Sequence, residues 1–196
     1  DAVMQEFITK LEALRDSEDQ EDTTAFHFMQ RAYKFAVENR ALGLGALGWH
    51  TLLQSKRIAF ESEEAMKLNT EIFSTMKERS YAASEAMAAE YGEPSVLEGY
   101  GRRNTTLLAV APNTSSSFIM GQVSQSIEPI WSNYYVKDLA KMKVSVKNKE
   151  LEKLLEEKGH NTREIWNSIR DNDGSVQHLD ILSDEEKAIF KTFSEI

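Results

Sequence analysis

Cysteine is missing from all 196 residues. That excludes disulfides, thiolate metal sites and a cysteine nucleophile within this chain. No apolar run approaches the roughly 20 residues that a bilayer-spanning helix needs, so no membrane partner is expected. No signal peptide opens the sequence. Nor does a basic patch or tail stand out: acidic residues outnumber basic ones 32 to 23, for a net charge of −9. Such a chain suits a nucleic-acid backbone poorly, and no nucleic-acid partner is expected. Linkers, internal repeats and low-complexity tracts are absent as well. His27, His50, His160 and His178 are scattered, with no pair at metal-ligand spacing. Glu157-Lys158-Gly159-His160 spells half of a di-iron Glu-x-x-His set, but it straddles a helix-ending glycine and has no second copy. No metal site is expected.

What is present is a globular composition, 41% hydrophobic and 28% charged. A chain of this length buries a real core and forms one domain, at most two. A single segment over 1–196 of a cytoplasmic protein is the expectation.

Val3, Phe7, Leu11 and Leu14 share a helical face, which predicts a helix over 3–15. Asp16 to Thr23 reads as a solvated acidic loop. Phe28, Ala32, Phe35 and Ala36 mark a second helix ending near Arg40. Gly43-Leu44-Gly45-Ala46-Leu47-Gly48 matches G-x-G-x-x-G by letters. The dinucleotide fingerprint needs a preceding strand, and what precedes here is helical. Close backbone packing ahead of a helix over Trp49 to Lys56 is the better reading. Ser62, followed by Glu63 and Glu64, caps a long helix whose expected buried face carries Met66, Ile72, Phe73, Met76, Ala83 and Met87. Gly92 and Pro94 stop it. Gln125 to Val136 reads as irregular, and Lys143 to Lys147 alternates like an edge strand or hairpin. Asn148 caps a helix ended by Gly159. Thr162 opens another, and Asn172-Asp173-Gly174 turns the chain. Ser183-Asp184-Glu185-Glu186 is a capping box for a last helical pattern running to Ile196.

The most informative stretch is Gly101 to Ser117. Thr105 to Ala111 is a β-branched and apolar run, the pattern of a strand covered on both faces. Pro112 ends it. Thr114, Ser115, Ser116 and Ser117 then open a helix over about Ser115 to Gly121, within a buried stretch reaching residue 123. Free N–H groups and the positive end of the dipole there suit a phosphate. Ordinary capping suits the same hydroxyls, and local chemistry alone favours it. The side chain of Asn113 fits either role. Glu128-Pro129 sets an acid nearby, and a hydrogen-bonded glutamate is its simplest reading.

Arg103-Asn104-Thr105-Thr106, then Ala111-Pro112 with Thr114-Ser115-Ser116-Ser117, then Ser126-Ile127-Glu128-Pro129, resembles the large (α) subunit of class I ribonucleotide reductase. Arg40 to His50, Ser132 to Val136, Gly174 to Gln177 and Phe190 to Thr192 also fall in that family's order. The resemblance covers nearly the whole chain and is weakest over the first thirty residues.

The resemblance implies a helix-rich α/β fold, part of the family's ten-stranded α/β barrel. It implies reduction of ribonucleoside diphosphates to deoxyribonucleotides by radical chemistry, in deoxyribonucleotide biosynthesis for DNA replication. Asn113, Thr114, Ser115, Ser116 and Ser117 would hold the substrate's phosphates, helped by backbone N–H groups at 115–117. The family's thiyl radical, electron-donating cysteine pair, catalytic glutamate and allosteric sites find no counterpart in these residues. Glu128 does not take the glutamate's role. The chain starts at Asp1 without methionine and stops inside a helical pattern, so it reads as an internal or split piece. Alone it is expected to be inactive. No cofactor is expected in this chain, because the family's radical comes from a metal-containing small (β) subunit. The remainder of the large subunit, the small subunit and the diphosphate substrate are the implied partners. Tyr134-Tyr135 lies before the family's relay tyrosines in order and reads as packing. The alternative is a non-enzymatic phosphate-binding or assembly module, one half of a split subunit.

Overall fold

The computed structural model describes residues 1–139 and 142–196. Its backbone contacts group into two compact units. One comprises 1–45 and 72–109, the other 46–71 and 110–196.

In the first unit, helix α1 (Ala2–Arg15) packs on α2 (Gln20–Asn39). The buried stripe of α1 is Ile8 and Leu11, which overlaps the predicted face only in part: Leu11 is buried and Leu14 half-buried, but Phe7 is exposed and Val3 is 81% exposed. One neighbouring helix covers only a narrow stripe, and Ile8 and Leu11, three apart, share it. The expected acidic loop is shorter than 16–23. Asp19 accepts the Glu21 N–H at 2.7 Å and starts α2 at Gln20, with Glu21 and Asp22 in its first turn. Phe28 and Phe35 lie on the exposed side of α2, whose buried residue is Ala36.

Helix α4 (Glu63–Tyr91) starts where Ser62 Oγ accepts the Ala65 N–H at 3.1 Å, and Gly92 at φ 82° ends it. Its inward stripe differs from the expected one. Ala65, Ser84 and Ala88 are buried, Ile72, Phe73, Met76 and Met87 are half-buried, and Met66 is exposed.

The run 105–111 is extended but is not a strand covered on both faces. It makes one isolated parallel bridge, Leu44 to Leu108. The Leu42 N–H donates to Thr106 O, Leu44 N–H to Leu107 O, and Ala109 N–H to Leu44 O. Only Leu107 is buried, and Val110 is 69% exposed. Within this unit only the segment around Leu44 runs beside it, so no longer ladder forms. The polar residues ahead of it hold the segment instead. Asn104, fully enclosed, accepts from Ser84 Oγ at 2.8 Å and donates to Arg40 O at 2.8 Å. Thr105 and Thr106 hydroxyls donate to Asn39 O and Leu42 O. Arg103 donates to the carbonyls of Tyr91 and Gly92 and pairs with Asp1 at 2.9 Å. The Arg-Asn-Thr-Thr motif is a clamp on two passing backbones.

The second unit carries helix α3 (Trp49–Ser55), helix α5 (Thr114–Ile119), and a hairpin of β1 (Tyr134–Leu139) with β2 (Met142–Lys147). The hairpin is antiparallel, in register from Tyr134 opposite Lys147 to Leu139 opposite Met142. Regular structure therefore begins at Tyr134, inside the stretch expected to be irregular. Helices α6 (Lys149–Glu157), α7 (Arg163–Asp171) and α8 (Asp184–Ile189) start at Asn148, Thr162 and Ser183 as expected. They close a core in which Leu151, Leu155, Ile169, Val176 and Phe190 are fully enclosed. The last helix is shorter than its pattern. Thr192 begins a capping box of its own with Glu195, over a 3-10 turn Phe193–Glu195, and this interrupts α8 after Ile189. The whole is a helix-rich α/β fold.

Candidate phosphate-binding site

Helix α5 spans six residues, one more at its start and two fewer at its end than expected. It is not buried overall, because Ile119 and Met120 are 83% and 67% exposed. The 3.6-residue period divides its hydroxyls between two faces. Thr114, Ser117 and Phe118 line a cavity of about 520 Å³ that Trp131, Tyr135 and Val146 also wall. Ser115 and Ser116 lie off that cavity and are exposed.

The five predicted residues therefore do different things. Ser117 is buried at 1% exposure, and its hydroxyl donates to Thr114 O at 2.8 Å. Its N–H donates to Asn113 O at 2.9 Å, which removes residue 117 from the expected set of backbone donors. The Thr114 hydroxyl donates to Gln125 Oε1 at 3.0 Å. Asn113 stands at the N-cap position without a side-chain cap bond. That leaves the N–H groups of 114–116, which have no acceptor inside the helix, and the hydroxyls of Ser115 and Ser116. These point-like donors at a helix start can meet an anion.

Helix α5 is tied down behind. The Val123 N–H donates to Ser117 O at 3.1 Å. Ser124 N–H donates to Thr51 Oγ1 at 2.8 Å, and Thr51 N–H returns to Ser124 Oγ at 3.2 Å. Gly48, at φ 82°, donates its N–H to Ser124 O at 2.9 Å. The rejected fingerprint thus ends in a backbone clasp at the start of α3. Its other glycines pack against residue 109: a Cβ at Gly43 would lie 2.9 Å from Ala109 Cβ, and one at Gly45 would lie 2.5 Å from Ala109 O.

Sequence reasoning missed a polar core beside this clasp. His50, Gln54 and Asn133 are fully buried. His50 Nδ1 accepts the Ile130 N–H at 3.0 Å, and its ring meets Phe60 edge-on at 5.3 Å. Asn133 donates to Gly174 O and Phe190 O and accepts from Asn148 Nδ2 at 2.7 Å. Asn148 also donates to Gln54 Oε1 at 3.1 Å. Burial pushes the His50 imidazole down to about 4, although a hydrogen bond with Ile189 opposes this. His50 and Asn133 lie in segments that follow the family's order, but scattered His, Gln and Asn give no local pattern that marks them as a buried polar core.

Tyr134 packs tilted on Trp166 at 5.7 Å, and Tyr135 walls the cavity. Glu128 is half-buried, its N–H donating to Gln125 O. Glu157 is paired with Arg57 at 3.0 Å. Among the described residues, no group of three or more His, Asp or Glu side chains is placed to hold a metal ion. No helix among them is long and apolar enough to cross a membrane.

Fold and site together define a helix-rich α/β piece with a hydroxyl-bearing helix start held by buried polar ties. The family model described as the ribonucleotide reductase barrel domain matches residues 22–97 and 95–196. The chain belongs to the ribonucleotide reductase family, as a fragment of the barrel of its large subunits. The Actinobacillus ureae class Id ribonucleotide reductase alpha subunit superposes over 100% of this chain and 33% of its own, with TM-score 0.83 and 52% identity. A putative ribonucleoside-diphosphate reductase large subunit of Frog virus 3 is 43% identical, over 85% of this chain and 29% of its own length. The large subunit of Danio rerio is 30% identical, over 81% of this chain and 24% of its own. The chain thus spans about a third or less of these relatives.

Proposed function

We propose that this chain is one segment of the barrel domain of a ribonucleoside-diphosphate reductase large subunit and forms the wall that holds the substrate's phosphates. The carrying observation is the start of α5, where the Ser115 and Ser116 hydroxyls and the free first-turn N–H groups share one exposed place. Asn113 and Thr114 flank this set, and Ser117 supports it from within. Kinship with reductase large subunits favours the phosphate role over bare capping. Fixing the diphosphate would place the ribose for hydrogen abstraction, and positioning of this kind is worth several kcal/mol.

The cysteine chemistry then belongs to other parts of the large subunit, since the chain holds no cysteine. The remainder of the large subunit and a radical-generating, metal-containing small subunit are the partners this reading requires. The setting is cytoplasmic deoxyribonucleotide synthesis for DNA replication, with nucleotide binding at α5.

Ser115→Ala or Ser116→Ala in the complete subunit is expected to weaken diphosphate binding by about 1.5–3 kcal/mol, the worth of one hydrogen bond to a charged group. Thermal stability should stay within about 0.5 kcal/mol, because both side chains are exposed. Diphosphate affinity and melting measured on the same variants check this. A stability loss of about 1 kcal/mol with unchanged affinity would mean that the hydroxyls only cap a helix.

A further inference from the structure

We propose that Gln125 is a positioning residue for the phosphate-binding turn, acting through Thr114; this rests on the phosphate reading of that turn. Among the described residues, Gln125 is the side chain that accepts a hydroxyl from the run 114–117, and the Ser117 hydroxyl is spent on its own helix. Its amide oxygen lies 3.0 Å from Thr114 Oγ1.

The backbone around Gln125 is held on both sides. Ser124 is buried and bonded reciprocally to Thr51, and its carbonyl accepts the Gly48 N–H. The Ser126 carbonyl accepts the Trp49 N–H at 3.3 Å, and Gln125 O itself accepts from Glu128 N–H at 3.1 Å. These bonds fix the backbone from which the half-buried Gln125 side chain reaches Thr114.

The consequence concerns which donors an anion meets. Thr114 and Gln125 both wall the cavity behind α5, so the Thr114 proton is directed to that side. A hydroxyl has one proton to give. With that proton spent on Gln125, the groups left to the phosphate are Ser115, Ser116 and the first-turn N–H groups. The bond also fixes the Thr114 side chain at the first helical position, which keeps those donors convergent before the ligand arrives. Preorganised donors bind more tightly because less ordering remains to be done.

The test is equilibrium binding of CDP to the complete large subunit, with melting recorded on each variant. Q125L keeps the side-chain bulk and loses the acceptor. It is expected to bind CDP about five-fold more weakly, the worth of one ordinary hydrogen bond, with little change in melting. T114V should match it, and T114V/Q125L should be no weaker than either single variant, because both remove the same bond. Q125E restores an acceptor but adds a negative charge near the phosphate. Relative to the native subunit at the same salt, it should be weak at low salt and recover at high salt, whereas Q125L should not recover. Native affinity in Q125L, while S115A and S116A bind weakly, would overturn the role of Gln125 and leave the phosphate reading standing. Independent, additive losses in the double variant would overturn it too. Unchanged affinity in all of the variants, S115A and S116A included, would overturn both.

Discussion

Acidification between pH 6.5 and about 4 is expected to remove about 3 kcal/mol of stability through His50. Burial holds the imidazole neutral in the fold, at about 4 against an ordinary 6.5. Above 6.5 the ring is neutral in both folded and unfolded chains and contributes nothing. As the pH falls below 6.5, the unfolded chain takes up a proton that the folded chain refuses, so stability declines. Below about 4 both states are protonated and the loss levels off. The geometry explains the refusal: Nδ1 is the acceptor for the Ile130 N–H, and a proton there would set two donors face to face. Carboxylates act in a separate window. Burial opposes the charge on Glu186 and Glu195, but hydrogen bonds, from Lys158 and Ser183 to the one and from Ser175 and Thr192 to the other, outweigh it. Both titrate below 4.5, so their contribution is present above that value and lost as the pH falls through their lowered range. Urea unfolding at a series of pH values should show a slope beginning near 6.5. His50→Gln, whose amide oxygen can still accept from Ile130, should flatten the slope above 4.5. A native chain equally stable at 6.5 and 4.5 would refute this account of His50.

Gly45→Val is expected to cost about 3 kcal/mol or more, since overpacking against backbone cannot be relieved by a rotamer change. The new Cβ would stand 2.5 Å from the carbonyl oxygen of Ala109, far inside contact distance. Residue 44 is also where the parallel bridge to Leu108 forms, with Leu44 N–H on Leu107 O and Ala109 N–H on Leu44 O. Separating the two segments would strain both bonds. A smaller loss is expected for Gly43→Ala, because it adds a single methyl and its 2.9 Å approach to Ala109 Cβ is a shallower overlap than the 2.5 Å one at Gly45. The order Gly45→Val worse than Gly43→Ala, measured by unfolding midpoint, tests close approach as the reason for these glycines. Equal and small losses would show that the segments separate freely.

Helix starts were legible in the sequence where one side chain serves a neighbour a few positions away. Ser62 caps α4, Asn148 accepts from Glu150 and Leu151, Thr162 accepts from Ile165, and Ser183 shares a box with Glu186. The strand reading of 105–111 failed because a strand needs a partner, and among the described residues only the segment around Leu44 supplies one. The reading of α8 as running to Ile196 failed because periodicity continued past a second cap at Thr192. Family membership was legible as well, since motifs in order survive without any knowledge of contacts.

At the site, the sequence by itself determined a run of hydroxyls placed after a proline at a helix start. Tertiary structure decided what each hydroxyl does. Ser117 turns inward, Thr114 is held by Gln125 eleven residues on, and Ser115 and Ser116 stay exposed. It alone placed His50 against Ile130, eighty residues away, and Asn133 against Phe190, fifty-seven away. The physical reason is range. Capping and helical period act over one turn, so neighbouring letters record them. Burial and the pairing of buried polar groups depend on which distant segments pack together, and no neighbouring letters carry that information.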